Sequence, residues 1–180
     1  MSDSTAEQVL HFWFDEHAKD WFVKNAAFDA EVRSRFLALH EAAAAGRMVH
    51  WADEPRSCLA LVIVLDQFPR NMFRGEARAF ATDALARSAA RVILERGWGK
   101  PMSQSERLFA YLPFEHSEAL EDQELACELM KGFEVDQLRY AQRHREIIER
   151  FGRFPHRNGL LGRDSTAAEI EFLKKPGSGF

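Results

Sequence analysis

The sequence predicts an all-α protein, and three observations carry that expectation. Apolar residues recur at helical spacing through almost every segment. Helix-start boxes recur as Ser4-Thr5-Ala6-Glu7, Ser103-Gln104-Ser105-Glu106 and Thr166-Ala167-Ala168-Glu169. In such a box the hydroxyl and the carboxylate each satisfy an orphan amide. No set of partner strands appears anywhere, and a lone strand would leave its ladder groups unpaired. About eight helices follow, in antiparallel pairs stacked in order as a bundle or α-solenoid. No strict internal repeat accompanies them.

After the first box, Val9, Leu10, Trp13 and His17 share one face. Asn25 is placed to cap a second helix, with Phe28, Val32, Phe36, Leu39 and Ala43 inward and Gly46 at its end. A third, over 55–68, is apolar nearly all round: Leu59, Leu61, Val62, Ile63, Val64 and Leu65 leave no polar face. Such a helix belongs at the centre of a fold. The fourth covers 76–96, with Phe80, Ala84, Leu85, Ser88 and Val92 on one side and Gly97 as its stop. A short helix opens at Ser103, and Pro113 kinks or ends it. Ser117 is the candidate cap of the next, which runs to about Lys131. A long helix over 135–151 and a short one after Thr166 complete the set. The stretch 176–180, Pro-Gly-Ser-Gly-Phe, reads as a loose tail.

Composition narrows the function classes. The chain has 180 residues, 46% of them hydrophobic, with 15 Phe, which excludes disorder. No linker interrupts it, so residues 1–180 read as one domain. The formal charge is −4. The stretch from Arg139 to Arg163 holds seven Arg and two Glu, a local +5 that leaves −9 for the rest. That balance argues against nucleic acid as a partner. The longest apolar run, Cys58 to Leu65, is too short to span a bilayer. No secretory signal is recognisable, and Cys58 and Cys127 sit in apolar helical contexts. The expectation is a cytoplasmic protein with buried free thiols.

Phosphate-cradling glycine loops, zinc-ligand pairs and di-iron spacings are all missing, so no metal or cofactor is expected. Four polar constellations remain. In Asp66-Gln67-Phe68-Pro69-Arg70-Asn71-Met72-Phe73-Arg74, Asp66 lies near the negative end of an apolar helix and requires a cationic partner. Arg153-Phe154-Pro155-His156-Arg157-Asn158 echoes that corner and continues to Arg163. Each corner stops a helix with Phe-Pro and then offers Arg and Asn. His116 stands between Glu115 and Glu118, where a carboxylate can orient an imidazole for proton transfer. His144 falls on the apolar stripe of the 135–151 helix, with Tyr140, Ala141, Ile147, Ile148 and Phe151.

Together these motifs resemble the bacterial domain of unknown function family 924. The resemblance rests on Val9-Leu10-His11-Phe12-Trp13-Phe14, on 64–75, on Tyr111-Leu112-Pro113-Phe114 with His116-Ser117-Glu118, and on 150–163. It implies a tetratricopeptide-repeat-like α-α superhelix and brings no activity, substrate or cofactor. It also implies a smaller role for Glu115, where relatives often carry Met.

The leading expectation is a pocket for a small anion, a phosphate or a carboxylate, with hydrolase or transferase chemistry open to it. Asp66, Gln67, Arg70, Asn71, Arg74, Arg153, Arg157, Asn158 and Arg163 are the candidate binding residues. His116, Glu118, His144 and His156 are the proton-transfer candidates. The rival expectation is a non-catalytic helical-repeat scaffold that pairs its arginines internally or recognises an acidic peptide.

Overall fold

The computed structural model describes residues 3–179, and the side chains of residues 6–179. Among them every regular element is helical and none is a strand. The chain divides into two compact units, Met1–Pro113 and Phe114–Phe180.

In the first unit, α1 (Asp3–Leu10) continues as a π-helical turn over His11–Glu16. The box read at Ser4 lies outside the described side chains. Glu7 is engaged by Arg56, whose Nη2 donates to Oε2 at 2.8 Å. Helix α2 (Ala26–Ala44) starts at the expected cap, with Asn25 Oδ1 accepting from Ala27 N and Phe28 N. Its inward face carries His40 in full burial, whereas Leu39 is only half-buried. Helix α3 (Pro55–Val62) packs on α1 and on α5 (Asp83–Glu95), the central position its apolar surface requires. Helix α6 (Gln104–Glu115) opens with the Ser103–Glu106 box, formed in both directions at 2.8 and 3.2 Å. Of the two outcomes expected at Pro113, a kink or an end, the end is not seen: Pro113 lies inside α6, two residues before Glu115.

The expected break at Pro69 is also absent. A π-helical turn over Ile63–Gln67 carries α3 straight into α4 (Phe68–Met72). Pro69 has no N–H to offer Leu65 O, and its ring crowds that carbonyl. The wider turn relieves the crowding, with Phe68 N donating to Ile63 O, five residues back. Side chains then serve three consecutive carbonyls. His40 Nδ1 donates to Val64 O at 3.0 Å, Thr82 Oγ1 to Leu65 O at 2.6 Å, and Arg70 Nη1 to Asp66 O at 2.6 Å. Burial holds His40 below the ordinary histidine range, which keeps it the neutral donor this contact needs.

The fourth predicted helix is shorter than expected and faces differently. A 3-10 turn at Ala77–Phe80 precedes α5, which buries Asp83, Ala86, Ala89, Ala90 and Ile93, while Ala84, Leu85 and Ser88 are exposed. Arg70 holds Asp83 inward, and three alanines allow close approach to α3. There Cys58 donates its Sγ–H to Ala89 O at 3.4 Å, and burial pushes its thiol up to about 12.

In the second unit α7 (Leu120–Met130) packs along α8 (Val135–Phe151), whose bounds match the sequence reading. Ser117 is not the cap of α7, since Ala119 holds that position. Ser117 Oγ accepts from Ala119 N and donates to Asp122 Oδ2 at 2.7 Å. Gln123 Nε2 donates to Glu115 O and Ser117 O at 2.7 and 2.6 Å, fixing the chain between α6 and α7. Gly152 ends α8 at φ 67°, the left-handed cap glycine tolerates best. Tyr140 is 51% exposed and so leaves the buried stripe, while Ala141, His144, Ile147 and Ile148 stay on it. Phe154 joins Ile147 and Ile148 in the core. A 3-10 turn spans Pro155–Arg157, and the Thr166–Glu169 box opens α9 (Ala167–Leu173) as read. Near the end of the chain Arg143 Nη2 donates to Gly177 O at 2.9 Å, and Ser178 Oγ to Leu173 O at 3.1 Å.

Thr82→Val removes, at nearly constant volume, the hydroxyl donor that Leu65 O accepts from in the core. Urea unfolding should show a loss of about 1–3 kcal/mol. Thr82→Ser should recover most of it.

Candidate functional site

The first polar corner lies on the π turn and α4. Asp66 is fully buried. Gln67 Nε2 donates to its Oδ2 at 2.6 Å, and Arg70 Nη1 lies 3.3 Å from its Oδ1. This supplies a cationic partner, although the helix runs on past Asp66 to Met72, so what demands the partner is full burial and not a helix end. Arg70 also grips Asp83 with both terminal nitrogens, at 2.9 and 3.1 Å. Burial works against the Arg70 charge, but Asp66 and Asp83 outweigh it and raise its pKa. Asn71 Nδ2 and Arg74 both reach Asp29 on α2, with Arg74 Nε and Nη2 at 2.7 and 2.8 Å from its two oxygens. Burial pulls Asp29 upward, yet Arg74 and Asn71 keep it below the usual carboxylate range.

The second corner follows α8 and repeats the pattern. Arg153 Nε and Nη2 donate to the two Glu169 oxygens at 2.7 and 2.9 Å. Arg163 Nη1 and Nη2 do the same to Glu118, at 2.7 and 2.9 Å. Phe154 N adds a bond to Glu118 Oε1 at 2.8 Å. Burial raises Glu118, but Arg163 and the Phe154 amide bring it below its ordinary range. Arg153 and the Thr166 amide hold Glu169 down to about 2. Asn158 Nδ2 donates to Ser165 Oγ, and its Oδ1 accepts from Arg163 Nε, both at 3.0 Å. Arg70, Arg74, Arg153 and Arg163 are thus set fork to fork on carboxylates of the chain itself.

Arg157 is buried, donates from Nη1 to His116 O at 3.1 Å, and lies over the Phe154 ring at 4.5 Å. The same ring meets His144 edge-on at 5.6 Å and His156 at 5.7 Å. Phe154 is therefore a hub that brings His144, His156 and Arg157 together, with the His116 backbone tied in through Arg157.

His144 Nδ1 lies 2.9 Å from Tyr140 O and 3.1 Å from Glu115 Oε1, so one N–H is shared between carbonyl and carboxylate. This orientation leaves Nε2 as an acceptor. Burial pushes His144 down to about 3, and the positive charges of His116, Arg157 and His156 act in the same direction. His144 is accordingly a neutral imidazole at physiological pH and a poor base there.

Each unit also carries an open groove. One, about 460 Å³, is lined in the second unit by Arg150, Phe151, Arg153, Thr166, Ala168 and Glu169. The other, about 430 Å³, lies in the first unit against Phe14 and Trp21. Of the sequence-read site residues, only Arg153 lines either. Among the described residues no group of three or more His, Cys, Asp or Glu is arranged to hold a metal ion, and no helix is long and apolar enough to cross a membrane. The residues that sequence reasoning missed are the carboxylate partners Asp29, Asp83 and Glu169, of which Glu169 carried a local signal, its place in the last capping box; Glu115 was read beside His116, whereas it meets His144.

The buried histidines fix a pH dependence. An unfolded histidine takes up a proton near 6.5, whereas folded His144 does so only near 3. Stability should therefore be full above pH 6.5 and fall as pH drops, by about 1.4 kcal/mol per pH unit for each such group. His40 is shifted the same way. His144→Gln should remove one proton's share of the slope between pH 6 and 5, measured by urea midpoints across that range.

Comparison with known proteins agrees with these motifs. Residues 9–177 match the family described as bacterial protein of unknown function (DUF924). No curated protein matches. A solved structure of a protein of unknown function from Agrobacterium tumefaciens superposes with a TM-score of 0.93 at 43% identity, covering 97% of this chain and 99% of that one. The chain belongs to the bacterial DUF924 family of proteins of unknown function.

Proposed function

We propose that the second unit binds a small anion, carrying a phosphate or a carboxylate, beside His116, His144, His156 and Arg157. The observation that carries this reading is the Phe154 hub, which gathers two imidazoles and one guanidinium around a single ring. A buried guanidinium braced on an aromatic face is preorganised for a planar, two-point contact. Neutral His144 offers a hydrogen-bond partner with no added charge. His116 and His156 are the proton-transfer groups if a reaction follows binding. Arg70, Arg74, Arg153 and Arg163 serve in this reading as braces, with their carboxylates, and not as direct ligands.

The second reading is a non-catalytic helical-repeat scaffold, cytoplasmic and tetratricopeptide-repeat-like, with a protein partner. A specific observation favours it: the arginine forks at both corners face internal carboxylates, as a scaffold would use them. Exposed Val135 and Tyr140 on α8 supply apolar surface.

One variant separates the two. Inorganic phosphate or malonate at about 100 times its dissociation constant should stabilise the protein by about 2.7 kcal/mol. Arg157→Lys keeps the charge and loses the planar fork. It should weaken that binding about ten- to a hundred-fold while the ligand-free melting temperature stays put. A large fall in melting temperature with unchanged affinity would favour the scaffold, as would a wild-type protein that neither anion stabilises.

A further inference from the structure

The groove of the first unit has the opposite character to the anion cluster. Its lining includes Phe14, Asp15, Ala18, Trp21, Ser103 and Glu106. Phe14 and Trp21 stand nearly perpendicular, with ring centres 5.7 Å apart at 79°, and so form two walls of a corner. Trp21 is also T-shaped to buried Phe109 with ring centres 4.7 Å apart, lies 6.3 Å from buried Trp13 at 21°, and donates from Nε1 to Trp13 O at 2.7 Å. The indole is therefore pinned at its nitrogen end and packed against two buried rings. Its orientation is set before any ligand arrives.

Two carboxylates border this aromatic corner. Asp15 is 69% exposed at its side chain, with His11 Nδ1 at 2.8 Å. Glu106 accepts from Ser103 N at 2.8 Å and has Arg56 Nη1 at 3.3 Å. No cationic side chain is among the described lining residues. Ring faces attract cations through their quadrupole, most strongly the indole face. Carboxylates add long-range attraction for the same sign. An anion would be repelled by both features, and a neutral apolar molecule would use only the rings. A small ammonium ion with bulky methyl substituents uses all of them, because its charge is spread over a surface that also packs on rings.

We propose that this groove binds a small soluble trimethylammonium compound against Phe14 and Trp21, with Asp15 and Glu106 supplying the complementary charge. The site lies wholly in the first unit and does not depend on the anion reading of the second.

The test is a titration of the full chain with choline, followed through the Trp21 indole N–H resonance, alongside 3,3-dimethylbutanol, its uncharged isostere. Choline should move the resonance saturably, and the isostere should bind about ten-fold or more weakly. Trp21→Leu, which removes that resonance, should abolish the heat of choline binding in a calorimetric titration. Should that variant fail to fold, Asp15→Asn decides, since its exposed side chain leaves the core untouched. It should weaken choline several-fold and leave the isostere unchanged. Equal response to the two compounds, no saturable response to choline, or indifference to Asp15→Asn would overturn the proposal. So would cosedimentation with phosphatidylcholine vesicles by a protein that ignores free choline.

Discussion

Pro69 sets the constraint around which the first unit is organised. It stands where an apolar helix passes through the core, and it withholds the amide that Leu65 O would otherwise accept. A buried carbonyl without a donor costs about 1–3 kcal/mol. Thr82 answers for Leu65, while His40 and Arg70 answer for the carbonyls on either side. These donors come from α2, from α4 and from the residue before α5. Satisfying one stretch of backbone therefore orients three helices. Arg70 then continues to Asp83 in the first turn of α5, so the polar tie and the alanine-lined packing of α5 on α3 reinforce one another.

The second unit solves a related problem by other means. After Gly152 the chain runs to Thr166 with a single 3-10 turn, and Arg153 and Arg163 fold it back by seizing Glu169 and Glu118. Such pairs add little beyond a well-packed apolar alternative, but breaking one partner leaves a charge stranded. Their value lies in geometry, since a fork on a carboxylate accepts one orientation. The likeness between the two Phe-Pro corners is thus a likeness of construction. What distinguishes the second is the crowd of imidazoles around Phe154.

Much of this was legible in the sequence where the cause is local. The caps at Asn25, Ser103 and Thr166 and the bounds of α8 follow from short-range hydrogen bonding and helical periodicity. The need of Asp66 for a cation was read from a helix end that the structure does not have; burial, not the end of a helix, creates it. The identity of the carboxylates facing Arg74, Arg153 and Arg163 was not, because those partners lie 45, 16 and 45 residues away. No local pattern marks such a pairing. The buried face of α5 misled for a different reason. Leucine and valine outrank alanine in any apolar pattern, yet alanine wins where two helices come close. Pro69 misled because a proline's effect depends on whether the neighbouring carbonyls find other donors.

The contact between α3 and α5 also makes Cys58 a clock. Its thiol is sealed between the two helices, and a group that ionises only near 12 holds almost no thiolate at neutral pH. Alkylating reagents attack thiolate, so the folded side chain is inert to them. Modification waits until the helices part and the sulfur returns to water. Under excess reagent the rate of labelling at Cys58 then equals the rate at which the centre of the first unit opens, and slower reagent reports instead the equilibrium share of open molecules.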